Sequence, residues 1–291
     1  MMVVVAGATG ALGREVTAQL AARGLQVRAL GRDAARLASI QADERRVISL
    51  DSPATLAGAC DGADALIVCS GASLRPGGWR DRASFHSIDY LGNLRLLSEA
   101  RRAGVGRVVA VSLAGALAVR QTAYARAHEQ FVQALAANGP AHCVVRPTGF
   151  FSSFAPLIDL AARGAGVVIG TGRARTNPIH ETDVAHACVE ALESRERQLV
   201  VGGPEVFTRE RLAEMAFEAL SRPARVRRVP GWLADVLAVP LSWAHPRLGA
   251  LVRFGVAAGA VDLIAPAYGT RRLGDYLRER AATVRAARAR A

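Results

Sequence analysis

Residues Met2 to Gly7 form a short apolar run, MVVVAG, that opens without a linker into Gly7-Ala-Thr-Gly10-Ala-Leu-Gly13. Leu12, Val16 and Leu20 follow at every fourth residue, which lines up one apolar face of a helix. A buried strand, a glycine turn and a helix in immediate succession leave few ways to fold. Glycine permits the tight turn, lets the backbone approach a phosphate closely, and allows the helix to pack against the strand. The unpaired N–H groups and dipole at the helix start favour an anion. The spacing predicts a dinucleotide-binding loop with Gly7, Thr9, Gly10, Ala11, Leu12 and Gly13 as contacts. A purely structural turn is the weaker alternative, because strand and helix flank the glycines as the binding loop requires.

The same alternation continues for two hundred residues. Leu25–Leu30, Arg46–Leu50, Asp64–Cys69, Arg107–Ser112 and His142–Pro147 are candidate strands, each separated from the next by a helical pattern. Such repetition implies right-handed βαβ units, hence an α/β fold of the Rossmann, doubly wound parallel-sheet type. After Gln198–Gly203 the alternation ends. Residues 1–202 are therefore read as the nucleotide-binding domain and 203–291 as a smaller, mainly helical C-terminal lobe. That lobe holds an amphipathic helix capped by Thr208, then an apolar stretch broken by Pro230, Pro240 and Pro246. It suits a lid over an apolar small-molecule substrate, or simple packing on the sheet edge.

Composition narrows the function classes. With 51% hydrophobic residues in 291, a sizeable core is expected. The net charge is +12, and all 37 basic residues are arginine. They scatter along the chain, dense only at Arg222–Arg228 and in the tail VRAARARA, so a solvated surface is expected rather than nucleic-acid binding. Cys60, Cys69, Cys143 and Cys188 lie far apart, which argues against a metal site or disulfide framework and fits a reducing cytoplasm. No apolar stretch reaches the roughly 20 residues of a membrane helix. The expectation is a cytoplasmic monomer or homodimer, with peripheral membrane contact left open.

The second strand ends in Arg-Ala-Leu-Gly-Arg32-Asp33. An acidic residue at this place would hold a ribose 2′-hydroxyl, whereas arginine accommodates a 2′-phosphate. Arg32 therefore favours NADP(H) over NAD(H), with Asp33 capping the next helix.

At this point the residues match a known group. The chain resembles an atypical short-chain dehydrogenase/reductase of the NmrA-like NAD(P)-binding family. The resemblance rests on GATGALG, on DSPATLAGACDGADALIVC, on SIDYLGNLRLLSEARRAGVGRVVAVS, and on VVRPTGFF and NPIHETDVAHACVEAL. It implies that Asp51 and Ser52 border the adenine. Cys69, Ser70 and Gly71 would follow the fourth strand along the cofactor, with Asn93 beside them. Pro147, Thr148, Gly149 and Phe150 would pass the nicotinamide, one of Phe150 and Phe151 being core. The C-terminal third is similar to the branch containing divinyl chlorophyllide 8-vinyl reductases, which implies NADPH-dependent reduction of a conjugated substrate.

The segment TAYARAHEQF departs from that group's pattern. Relatives carry Tyr-x-x-x-Lys, whereas Tyr124 is followed at that distance by His128, and the chain contains no lysine. Tyr124 and His128 share a helix face with Phe131 and Leu135, so a core stripe is the plain alternative to catalysis. The resemblance implies Tyr124 as proton donor, His128 as ribose contact or base, and Ser112 as a polariser of the substrate oxygen. Imidazole titrates near 6.5, so it replaces a lysine cation only in part. Glu129 lies on another helix face and reads as a solvated charge. Trp79 is a candidate substrate contact or an ordinary anchor, and His180 a helix cap. Two functions follow. One is an NAD(P)H-dependent reductase delivering hydride to a carbonyl or conjugated double bond. The other is a non-catalytic NADP(H)-binding redox sensor or membrane-complex assembly factor.

Overall fold

The computed structural model describes residues 1–72 and 83–289. Trp79 lies outside them, as do the side chains beyond residue 286. The first half runs β1 (Met2–Ala6), α1 (Ala11–Ala22), β2 (Gln26–Gly31), α2 (Ala34–Ala38), β3 (Glu44–Val47), α3 (Pro53–Leu56) and β4 (Ala65–Val68). A π-helical stretch, His86–Gly92, leads into α4 (Asn93–Arg102), then β5 (Arg107–Val111), α5 (Ala123–Asn138), β6 (Ala141–Pro147) and α6 (Phe151–Ala162). The remainder is β7 (Gly166–Ile169), β8 (Arg175–Thr176), α7 (Glu181–Glu190), β9 (Gln198–Val201), β10 (Phe207–Thr208), α8 (Arg209–Ala219), β11 (Val226–Val229), α9 (Gly231–Ala244), α10 (Pro246–Ala260) and α11 (Leu273–Ala289).

Seven strands form one sheet in the order β3-β2-β1-β4-β5-β6-β9, and every pairing in it is parallel. Both faces are covered, as a doubly wound sheet requires. Alternate residues of β1 serve the two faces: Val3 and Val5 meet Leu12, Val16 and Leu20 of α1 together with Val184 and Cys188 of α7. Val4 and Ala6 meet Leu96 and Leu97 of α4 and Phe131 and Leu135 of α5. Strand order reverses between β1 and β4, the place where this class of sheet opens a ligand crevice.

The third strand differs from its sequence reading. It covers Glu44–Val47, not Arg46–Leu50, and all four residues are exposed. Ile48 and Leu50 are buried, but in the segment after the strand, where only the Ile48 N–H still reaches the Gly31 carbonyl at 2.9 Å. An edge strand needs no inward hydrophobic set, so the apolar pattern pointed two residues too late.

The helical C-terminal region is not assembled from the last ninety residues alone. Phe151 and Ile158 of α6 pack with Leu212 and Phe217 of α8 and with Leu273 and Leu277 of α11. β7 pairs with β11, and β8 with β10. Thr208 caps α8 by accepting the Arg211 amide at 3.1 Å. The α9–α10 hairpin lies over the start of α5, with Phe254 of α10 against Tyr124 at a ring separation of 4.8 Å.

Candidate active site

Two adjoining cavities of about 360 and 380 Å³ form one groove along the C-terminal ends of β1, β2 and β4. They share Gly10, Ala11, Cys69, Ser70, Gly71 and Ala72, the glycine loop facing the segment after β4. The loop fits a pyrophosphate on three counts. Gly7 has φ +79°, and a Cβ there would stand 2.8 Å from the Cys69 carbonyl oxygen. A Cβ on Gly13 would collide with the Gly7 carbonyl and stand 2.8 Å from the Ala8 Cα. Gly10, by contrast, faces open space apart from the Gly7 oxygen at 3.3 Å. The first turn of α1 carries neither a side-chain cap nor an acidic residue, so its N–H groups point into the groove without protein competition.

At one end the groove is lined by Thr9, Gly31, Arg32, Arg36, Ile48 and Leu50. Arg32 is exposed at the end of β2, and Asp33 caps α2 through the Arg36 amide. Arg36 was not singled out in the sequence. It stands beside Arg32 because α2 starts immediately after β2, and its guanidinium donates to the Thr9 carbonyl at 2.7 Å. Two arginines thus flank this end of the groove.

At the other end Leu12, Gly13, Ser112, Tyr124, His128 and Phe150 line the groove, together with Asp89. Tyr124 is half-buried and boxed by rings: Phe85 at 5.0 Å, His128 at 4.7 Å and Phe254. Burial, and secondarily the Asp89 charge, hold its phenol above the ordinary tyrosine range. His128 presents Nε2 to Asp89 Oδ1 at 3.4 Å, yet this nitrogen is buried without a hydrogen-bond partner. Burial pushes the imidazole down to about 4, and Arg146 adds to the effect; Glu129 and a hydrogen bond at Val111 oppose it. The ring is therefore neutral at pH 7.

Asp89 lines the groove and was not singled out in the sequence. It is 1% exposed on the π-helical stretch, and its carboxyl accepts the Ala72 amide at 3.1 Å. Burial raises it to about 7, with the Ala72 amide and the Arg247 charge acting the other way. Arg247, itself 2% exposed, enters the groove wall from α10.

Ser112 lines the groove, but its hydroxyl is engaged: it donates to Glu129 Oε1 at 3.2 Å, and Arg146 lies at 3.4 Å. Glu129 is not a solvated charge. It forms a two-pronged ion pair with Arg146 at 2.5 and 3.2 Å behind the groove, because β6 brings that arginine beneath α5. Asn93 lies behind the wall, exchanging hydrogen bonds with Ser70 at 2.7 and 3.1 Å. Asp51 and Ser52 follow Leu50 but do not line the groove. Pro147, Thr148 and Gly149 lead to Phe150 without lining it, and Thr148 bonds the Asn177 carbonyl at 2.5 Å. Phe151 is the core member of its pair, fully buried against His180 and Tyr276. His180 caps α7 by accepting the Thr182 amide.

Comparison with known proteins bears on the family and the fold. The profile of the NAD(P)H-binding family matches residues 7–195. The maize chloroplastic divinyl chlorophyllide a 8-vinyl-reductase is 31% identical over 81% of this chain, which spans 63% of that protein, under two thirds of its length. A (4-alkanoyl-5-oxo-2,5-dihydrofuran-3-yl)methyl phosphate reductase of Streptomyces griseus is 32% identical over 77% of this chain and 76% of its own. Among solved structures, the Escherichia coli NADPH-dependent quinone oxidoreductase in complex with NADPH superposes with a TM-score of 0.76 at 18% identity, covering 96% of this chain and 99% of that one. The glycine loop, the doubly wound sheet and these relatives lead to one assignment: the chain belongs to the NAD(P)H-binding family, as an atypical, NmrA-like member.

Proposed function

We propose that the protein is an NADPH-dependent reductase acting on a carbonyl or conjugated double bond of an apolar small molecule. The observation that carries this reading is the continuous groove from the Arg32–Arg36 end, past the bare first turn of α1, to Tyr124, His128 and Asp89. The relatives named as reductases support it. Nicotinamide supplies the hydride when bound. The chain's own groups then bind, orient and protonate. Gly7, Gly10 and Gly13 admit the pyrophosphate to the α1 amides, and Arg32 and Arg36 hold a 2′-phosphate. Phe150 and Leu12 wall the reacting end and exclude water. Tyr124, kept protonated by its surroundings, donates to the substrate oxygen or enolate. Neutral His128 packs edge-on against Tyr124 and holds its ring in place, and the proton that Tyr124 gives up is replaced from solvent through the groove.

The neutrality of His128 also favours a second reading, because an uncharged ring does not stabilise a tyrosinate as lysine would. In that reading the chain binds NADP(H) without turnover, as a redox sensor or assembly factor.

The test is NADPH and NADH oxidation with a panel of quinones, enones, carbonyls and porphyrin-type vinyl compounds, for wild type, Tyr124→Phe and His128→Ala. Turnover that falls on the order of 100-fold in Tyr124→Phe with unchanged NADPH affinity is expected for a lost proton donor. Binding without turnover of any acceptor would establish the second reading. In parallel titrations, Arg32→Ala and Arg36→Ala each weaken NADPH about tenfold or more while sparing NADH, the loss of one charge-assisted phosphate contact. Equal wild-type affinity for the two cofactors would sink the NADP preference.

A further inference from the structure

Among the described residues most large apolar side chains are interior, but α9 turns a row of them outward. Trp232 is 68% exposed and Trp243 83%, with Val236, Leu237 and Val239 between them at 56, 60 and 42%. Positions 232, 236, 239 and 243 recur at spacings of four, three and four, so they form one stripe along the helix. The stripe extends about 16 Å at the helical rise per residue. Asp235 is the only charged residue in α9. Ala234 and Ala238, on the inner side, are buried.

The surroundings are basic. Arg225, Arg227 and Arg228 are exposed on the segment that leads into α9, Arg228 sharing its charge with Glu210. Arg253 of α10 is exposed on the flank, where it lines a groove with Asp235, Val236 and Val239. The chain as a whole carries +12. Tryptophan at both ends of an apolar ridge, with arginines beside it, is the pattern of a helix lying in a bilayer interface. Among the described residues no helix is long and apolar enough to cross a membrane.

We propose that α9 seats this protein on an anionic lipid surface, with Trp232, Val236, Val239 and Trp243 facing the headgroup region and neighbouring arginines meeting lipid phosphates. A second copy of the chain is a poorer occupant. A ridge one helix wide offers on the order of 200–300 Å², against roughly 800 Å² per partner in a stable dimer. Two copies would also bring like charges together. α10 packs beside α9 and touches Tyr124 through Phe254, so the bilayer would stand one helix away from that tyrosine.

Flotation with vesicles of phosphatidylcholine, and of phosphatidylcholine mixed with phosphatidylglycerol, tests the proposal on the full chain. Wild type is expected to float with the anionic vesicles, and to bind at least about tenfold less without phosphatidylglycerol. A Trp232→Ser, Trp243→Ser double variant should lose binding by a similar factor while keeping its NADPH affinity. Quenching of wild-type tryptophan fluorescence by brominated anionic lipid checks insertion without any mutation. No flotation of wild type, undiminished flotation of the double variant, or equal binding to neutral vesicles would each overturn the proposal. So would a concentration-dependent dimer that the double variant abolishes, which would give the stripe to a second copy.

Discussion

His128 and Asp89 face each other at 3.4 Å in a wall of the groove, and burial moves the two groups in opposite directions. The imidazole falls from 6.5 to about 4, and the carboxyl rises from 3.8 to about 7. Between those limits the folded pair holds one proton, on Asp89, whereas the unfolded pair also holds one, on the histidine. A depressed histidine takes up less proton in the fold than in the unfolded chain, so it costs stability as pH falls from 6.5 towards 4. A raised carboxyl keeps its proton in the fold, so it costs stability as pH rises from 3.8 towards 7. In the wild type the two slopes oppose and largely cancel between pH 4 and 6.5. Asp89→Asn removes only the carboxyl's part. Its stability should therefore fall on acidification from pH 6.5 to 4 more steeply than wild type, by on the order of 1 kcal/mol per pH unit. Parallel urea curves at several pH values measure this, and identical slopes for the two proteins would show that the pair does not share a proton in this way. The couple was not legible in the sequence. In sequence Asp89 reads as part of an ordinary helix, and its carboxyl gains its neighbourhood from the Ala72 amide, α5 and Arg247 of α10.

At the scale of elements, the junction of β1, the glycine turn and α1 was fully legible, because every part of it is local: β-branched residues, glycines at fixed spacing, and a four-residue apolar period. The edge strand β3 was not, since its own residues are exposed and the apolar Ile48 and Leu50 belong to the segment beyond it. Glu129 was misread for the opposite reason: its helix face is polar in sequence, but Arg146 of β6 turns that face into a part-buried ion pair. The glycine junction also separates folding from binding. Gly13→Ala sets a methyl against the Gly7 and Ala8 backbone, so α1 must move off β1. The expected cost is about 1–3 kcal/mol of stability from overpacking, with cofactor binding lost as a consequence. Gly10 has φ −74° and ψ 168°, a conformation alanine adopts freely, and its Cβ would meet only the Gly7 carbonyl oxygen, at 3.3 Å. Gly10→Ala should melt within a degree or two of wild type yet bind NADPH at least about tenfold more weakly, because the methyl occupies the pyrophosphate's approach. Thermal melts and cofactor titrations of the two variants decide the point. Equal loss of stability in both would mean that Gly10, too, is needed for folding alone.

At the scale of the whole molecule, the end of strand–helix alternation near residue 202 is visible in the sequence, but how the two parts share their core is not. α6 lies before that point, yet its buried face packs with residues beyond it. Phe151 and Ile158 are fully buried in a cluster with Leu212, Phe217, Leu273 and Leu277. β7 likewise takes its only paired neighbour among the described residues from β11. Burying a side chain of this size contributes roughly 1.5–3 kcal/mol, so uncovering a cluster of them removes an amount comparable to the 5–15 kcal/mol that holds a domain together. The two regions should therefore unfold as one cooperative unit. A chain ending at residue 202 is expected to retain the strands of the sheet but to expose the α6 face, bind a hydrophobic dye and lose its cooperative melt. The groove is lined from both regions through Arg32 and Arg247, so a nicotinamide cofactor bound there as proposed should raise a single transition of the full chain. If the shortened chain instead melts cooperatively and still binds NADPH with native affinity, residues 1–202 are an independent domain, and α6 finds its cover within them.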